Sequence, residues 1–227
     1  MRRGETCANS ASPEPDEPPL AQPLRAAHKH WTASEVHSFN VSNTGANVAP
    51  PSQAQLNAAS DFGTAAIQAF EENGTFPAET VIGAVARMAG SFLFRSFGLP
   101  LTGIQPGAVV LSEQANQQGP RLVQIIAGVL QGVGVKLDPS KVSASQGKVS
   151  GQKEPFLETQ KVLGTRFAAI RDRYGLSDVD AADAAAIATA LLIKNCSQRL
   201  DPHAGFALAV YGLIEGTKTA PAEADSV

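Results

Sequence analysis

From Gln53 onward, apolar residues recur at the three- and four-residue spacing of a helix. Leu56, Ala59, Phe62, Ala66, Ile67 and Phe70 lie on one face, and Asn73-Gly74 ends that helix. Pro77 restarts the chain as a first-turn proline, with Glu79 placed where the helix dipole favours an anion. This second helix is predicted to run to about Phe97 and to close at Gly98-Leu99 in a Schellman motif. Around its axis Thr80, Ala84, Arg87, Ser91 and Arg95 form one narrow arc. The rest of its circumference is small or apolar, with Val81, Ile82, Val85, Met88, Phe92 and Leu93.

Residues 100–120 carry no clear period. Pro106 to Gln118 reads as a short helix with Val109, Val110 and Leu111 inward, because no partner strand for Val-Val-Leu is evident. Gly119-Pro120 then opens a strongly apolar helix to about Val133, carrying Leu122, Ile125, Ile126, Val129 and Leu130. So thin a polar stripe belongs in the centre of a bundle or in an interface. Residues 136–153 place four lysines against one Asp among Ser and Gly, the composition of a mobile loop or linker.

Glu154 or Pro155 starts a helix with the stripe Phe156, Leu163, Phe167, Ile170 and Tyr174, closed by Arg171, Arg173 and a second Gly-Leu ending at Gly175-Leu176. Ser177 caps the next helix, with Asp178, Asp180 and Asp183 in its opening turns and an alanine-rich body. Asp201-Pro202 opens the last, through Phe206, Leu208, Leu213 and Ile214 to Gly216. These six or seven helices, with no convincing strand pair, predict an all-α helical bundle over residues 53–216, as one body or as two helical halves joined by the lysine loop.

Residues 1–52 hold seven of the 15 prolines and little apolar surface, which predicts a disordered leader, and residues 217–227 read as a disordered tail. His28, His30 and His37 surround Trp31 in the leader without a scaffold to fix metal geometry. No apolar run follows Arg2-Arg3, and two cysteines, Cys7 and Cys196, make no disulfide framework. Both point to a cytoplasmic protein. No stretch of about 20 apolar residues is present, so no membrane span is expected.

Only 17% of the 227 residues are charged, and the deficit is local: between Val81 and Val135 the charges are Arg87, Arg95, Glu113 and Arg121. Such a section is either the buried heart of the bundle or an oligomer interface. Val85, Phe92, Ile126 and Leu130 are its candidate interface positions. With Glu113 the one local carboxylate, Arg87, Arg95 and Arg121 need other partners: solvent, distant carboxylates, or an anionic ligand held between helices.

No phosphate loop, dinucleotide fingerprint, HExxH, CxxC or GxSxG occurs. Cys196, Asp201 and His203 form one grouping that resembles a catalytic set, and capping by Asp201 with a buried Cys196 explains it without chemistry. The leading expectation is therefore a non-catalytic helical protein, without cofactor or metal, that associates with itself or a protein partner through residues 81–135. The alternative is a binding protein or enzyme for a small anion, using the three arginines. A weaker one is nucleic-acid association through residues 136–173, with eight basic and four acidic side chains. The net charge of −3 argues against that last reading.

Overall fold

The computed structural model of the chain describes residues 50–146 and 155–222. The expectations for the leader, for Lys148 and Lys153, and for the last five residues fall outside the described residues. Within them the protein is all-α, with seven helices: α1 (Gln53–Phe70), α2 (Ala78–Ser96), α3 (Glu113–Gly132), α4 (Pro139–Gln146), α5 (Phe156–Arg173), α6 (Asp178–Asn195) and α7 (Pro202–Lys218).

Local chemistry sets most boundaries. Ser52 caps α1 through a reciprocal pair, its hydroxyl accepting the Gln55 N–H at 3.2 Å and the Gln55 amide oxygen accepting the Ser52 N–H at 2.8 Å. Asn73 and Gly74 both take positive φ, 51° and 72°, so the chain reverses in two residues while Glu72 and Thr75 exchange backbone hydrogen bonds. At Gly175-Leu176 both Schellman bonds form, Leu176 N–H to Arg171 O and Gly175 N–H to Asp172 O. The same pair of bonds ends α3 at Gly134-Val135.

α2 is the axis of the fold. It packs against α7 and α6, with α1, α5 and α3 completing the surround. α6, the alanine-rich helix, is buried almost continuously from Ala181 to Ile193 and separates α1 from α3. One apolar cluster runs from Leu56 to Leu213 and draws on α1, α2, α3, α5, α6 and α7. Phe62, Phe92 and Phe167 stack within it, with Phe62 and Phe167 ring centres 4.4 Å apart. α2 and α7 cross at Gly90 and Gly216. A methyl group on Gly90 would lie 2.5 Å from the Leu213 carbonyl oxygen, and one on Gly216 would overlap the Arg87 carbonyl.

Four boundaries differ from the sequence reading. Residues 100–112 form no helix; Val109 instead bridges Thr219 in antiparallel fashion, with Val110 N–H donating to Lys218 O and Ala220 N–H to Ala108 O. The partner for Val-Val-Leu lies 110 positions away, where no local pattern points to it. Gly119-Pro120 does not open a helix, because the Ser112 cap on the Ala115 N–H starts α3 seven residues earlier and Pro120 sits inside it. Gly216 is a packing residue rather than a stop, and Thr219 and Ala220 beyond α7 are buried instead of belonging to a free tail. The front of the lysine-bearing loop is α4, an exposed helix laid on α7, with Asp138 accepting from the Ser140 hydroxyl and N–H at its start.

Candidate interaction surface

The arginine arc of α2 and α3 is engaged by the protein itself. Arg87 is almost fully buried; its Nε donates to Glu215 of α7 at 2.6 Å and its Nη1 to Thr159 of α5 at 3.0 Å. It therefore ties three helices together. Arg95 donates to the backbone oxygen of Ala222 at 3.2 Å, and burial pulls its guanidinium below the ordinary value, with Asp178 opposing that and Arg171 adding to it. Arg121 meets Asp183 of α6 at 2.6 Å. Burial drives the Asp183 carboxyl up and the Arg121 bond draws it back only in part. Arg121 Nη2 and Asp183 Oδ1 remain buried and have no hydrogen-bond partner among the described residues. The three arginines face different neighbours: Glu215 and Thr159, Ala222, and Asp183.

Val85, Phe92, Ile126 and Leu130 lie in the core of the single chain, with Val85, Ile126 and Leu130 at 0% exposure. Packing within the bundle accounts for them without a partner. The carboxylates at the start of α6 also have local roles: Asp178 pairs with Arg171 at 2.7 Å, Asp180 accepts from Ser177 and Gln55, and Asp183 holds Arg121. No group of three metal-binding side chains is found among the described residues.

Cys196 is buried, and burial pushes its thiol up, with Arg199 opposing that. A thiol held protonated is a poor nucleophile. His203 spends Nδ1 on Asp201 at 2.9 Å, and that carboxylate also accepts the His203 and Ala204 N–H groups as the α7 cap. In the basic stretch, Arg171 is bound to Asp172 and Asp178, Arg173 to Asp61, and Lys161 lies 3.9 Å from Glu158. Such pairs reduce the charge available to a polyanion.

Residues that the sequence reading placed in helices without assigning them to a site form a further surface. Between the first half of α3 and the end of α7 lies an open groove of about 440 Å³. Gly119, Pro120, Val123, Leu213 and Ile214 make its apolar wall; Asn116, Gln124, Thr217 and Lys218 supply its polar atoms. Tyr211, Ile214 and Lys218 follow one another at i, i+3 and i+7 along α7, and Ile214 is 51% exposed. Val109 and Leu111, on the segment that leads into α3, are 72% and 81% exposed. The sequence reading turned the Val-Val-Leu run inward and took Leu213 and Ile214 together as one helix's apolar residues, whereas Val109, Leu111 and Ile214 are exposed.

No helix among the described residues is long and apolar enough to cross a membrane. Comparisons with protein-family models, with curated proteins and with solved structures find no match for this chain.

Proposed function

We propose that the protein is a non-catalytic helical module that binds an apolar polypeptide segment, from a partner or a second copy, on the α3/α7 face. The observation that carries this is Ile214, half-exposed in the wall of an open apolar groove, with exposed Tyr211 one turn before it on α7 and exposed Val109 bridged to Thr219 just beyond the end of α7. Large solvated side chains gathered on one face mark interaction sites, whereas scattered ones need no explanation. Amide and hydroxyl groups on the rim give such a site orientation and specificity.

This moves the contact surface from the whole of residues 81–135 to its second half plus α7. The anion-binding reading has less support, since each of the three arginines is already bonded within the chain. A cytoplasmic setting is consistent with the buried free thiol of Cys196.

Photocrosslinking from the face tests the reading. A photoreactive residue at Leu111 or Ile214 of the full chain, expressed in its own cells, should yield a polypeptide adduct, while one at exposed Glu72 should not. Equal yields from the three positions sink the proposal.

A further inference from the structure

We infer that the α3/α7 groove is a docking site for the chain's own N-terminal segment, residues 31–41. The inference rests on the reading of this face as a surface for an apolar polypeptide, and names the segment that fills it when no partner does.

Charge is the first argument. Lys218 is the one charged side chain lining the groove, and among the described residues it has no ion pair. The segment from Arg25 to Pro50 contains a single carboxylate, Glu35, and around it stand Trp31, Val36 and Phe39. A segment carrying three large apolar side chains and one acid is therefore matched in chemistry to an apolar groove lined by one cation.

Reach is the second. The described chain begins at Pro50, beside the Ser52 cap of α1. Gln55 on the first turn of α1 donates to Asp180 at 3.2 Å. Asp183, less than one turn further along α6, holds Arg121 at 2.6 Å, and Arg121 adjoins Pro120 in the groove wall. Two side-chain contacts thus separate the start of α1 from the groove. The 15 residues from Glu35 to Pro50 span up to about 50 Å when extended, far more than that path requires. Tethering raises the effective concentration of the segment to about the millimolar range, so weak contacts suffice to fill the groove. A partner would then have to displace it.

Trp31 is the only tryptophan of the chain, so its fluorescence reports the docking directly. In the full-length protein, selectively excited Trp31 should emit at short wavelength and resist acrylamide quenching. Ile214→Asp should shift the emission to the red and raise the quenching constant severalfold with an unchanged far-ultraviolet dichroism spectrum. Lys218→Glu should raise quenching as well, and adding Glu35→Lys to it should restore protection. A solvent-exposed Trp31 in the unmodified chain overturns the inference, as does protection that none of these substitutions changes. Protection that grows with protein concentration overturns it in favour of a second copy. An adduct from Leu111 or Ile214 to another polypeptide, together with an exposed Trp31, would remove the leader as occupant and leave the binding face standing.

Discussion

α2 and α3 are both long and nearly without charge, and α2 shares a strongly apolar sequence with the second half of α3, yet they occupy opposite environments. In α2, 15 of 19 residues are buried; in α3, 5 of 20 are. Helices on every side cover α2, and even its buried Arg87 is paired with Glu215 from α7. α3 lies on the flank, pressed on α6 through Leu122, Ile126 and Leu130, and its other face borders the groove. Scarcity of charge thus marks a core helix in one case and a helix with an uncovered apolar face in the other. What separates them is side-chain size: α2 carries small residues such as Ala84, Gly90 and Ser91 around its circumference so that other helices can approach, while α3 turns Asn116, Gln124 and Gln131 outward to water.

The sharpest way to break this comparison is to put the same carboxylate into both helices. Val85→Asp buries an unpaired charge beneath four helices and should cost more than about 4 kcal/mol, enough to unfold the protein in a denaturant titration. Ile126→Asp on the inner face of α3 should do the same, since that position is equally closed. If either variant keeps a cooperative transition near that of the parent, the core assignment of its helix is wrong.

Next in size is the α2/α7 crossing. Alanine normally improves a helix over glycine by about 1 kcal/mol. At Gly216 the added methyl meets backbone that cannot move aside, so Gly216→Ala should instead lower stability by about 1–3 kcal/mol. Calorimetry that finds a stabilised Gly216→Ala protein would mean that the helices cross elsewhere. Glu215→Gln tests the same junction electrostatically. It removes the charge that faces Arg87 from α7 and should cost about 2 kcal/mol, below the full penalty for a broken buried pair because Glu215 is partly solvated and the other Arg87 bonds, that to Thr159 among them, remain.

On the groove face, Leu111→Asp and Ile214→Asp should change stability by no more than about 0.5 kcal/mol. A large loss at either would place it in the core and withdraw the binding face. The smallest effect concerns pH. Burial raises the Asp183 carboxyl in the folded state, so the native protein keeps that proton to higher pH than the unfolded chain. Stability contributed by this group is therefore greatest below the ordinary carboxylate value and is lost as pH rises toward the raised one. Asp183→Asn should flatten that part of the melting-temperature profile, and an unchanged profile would assign it to another acid.

The parts of the fold that were legible in the sequence are those whose cause is local. Asn73-Gly74, Pro77, Gly175-Leu176, Ser177 and Asp201-Pro202 sit at the boundaries they announced, because caps and positive-φ turns act within a few residues. The segment before α3 was misread because its hydrogen bonds go to Lys218 and Ala220, far along the chain. Gly216 was misread because a glycine that admits another backbone is written like a glycine that ends a helix. The candidate site was legible only in outline. Low charge pointed to the section containing α3, but the second wall of the groove comes from α7, and no spacing within α3 tells which helix will stand beside it.

The meeting of Gly90 with Gly216 also bears on how the chain reaches this form. The central helix is synthesised early, yet the helix that seats against it and pairs with Arg87 is completed more than a hundred residues later. Until α7 leaves the ribosome, α2 has an uncovered apolar flank and a cation without its carboxylate. Closing that long loop makes the contact order high for an all-helical protein, so folding should be slower than helix content alone implies. A nascent chain stalled before Pro202 is the form most in need of a chaperone.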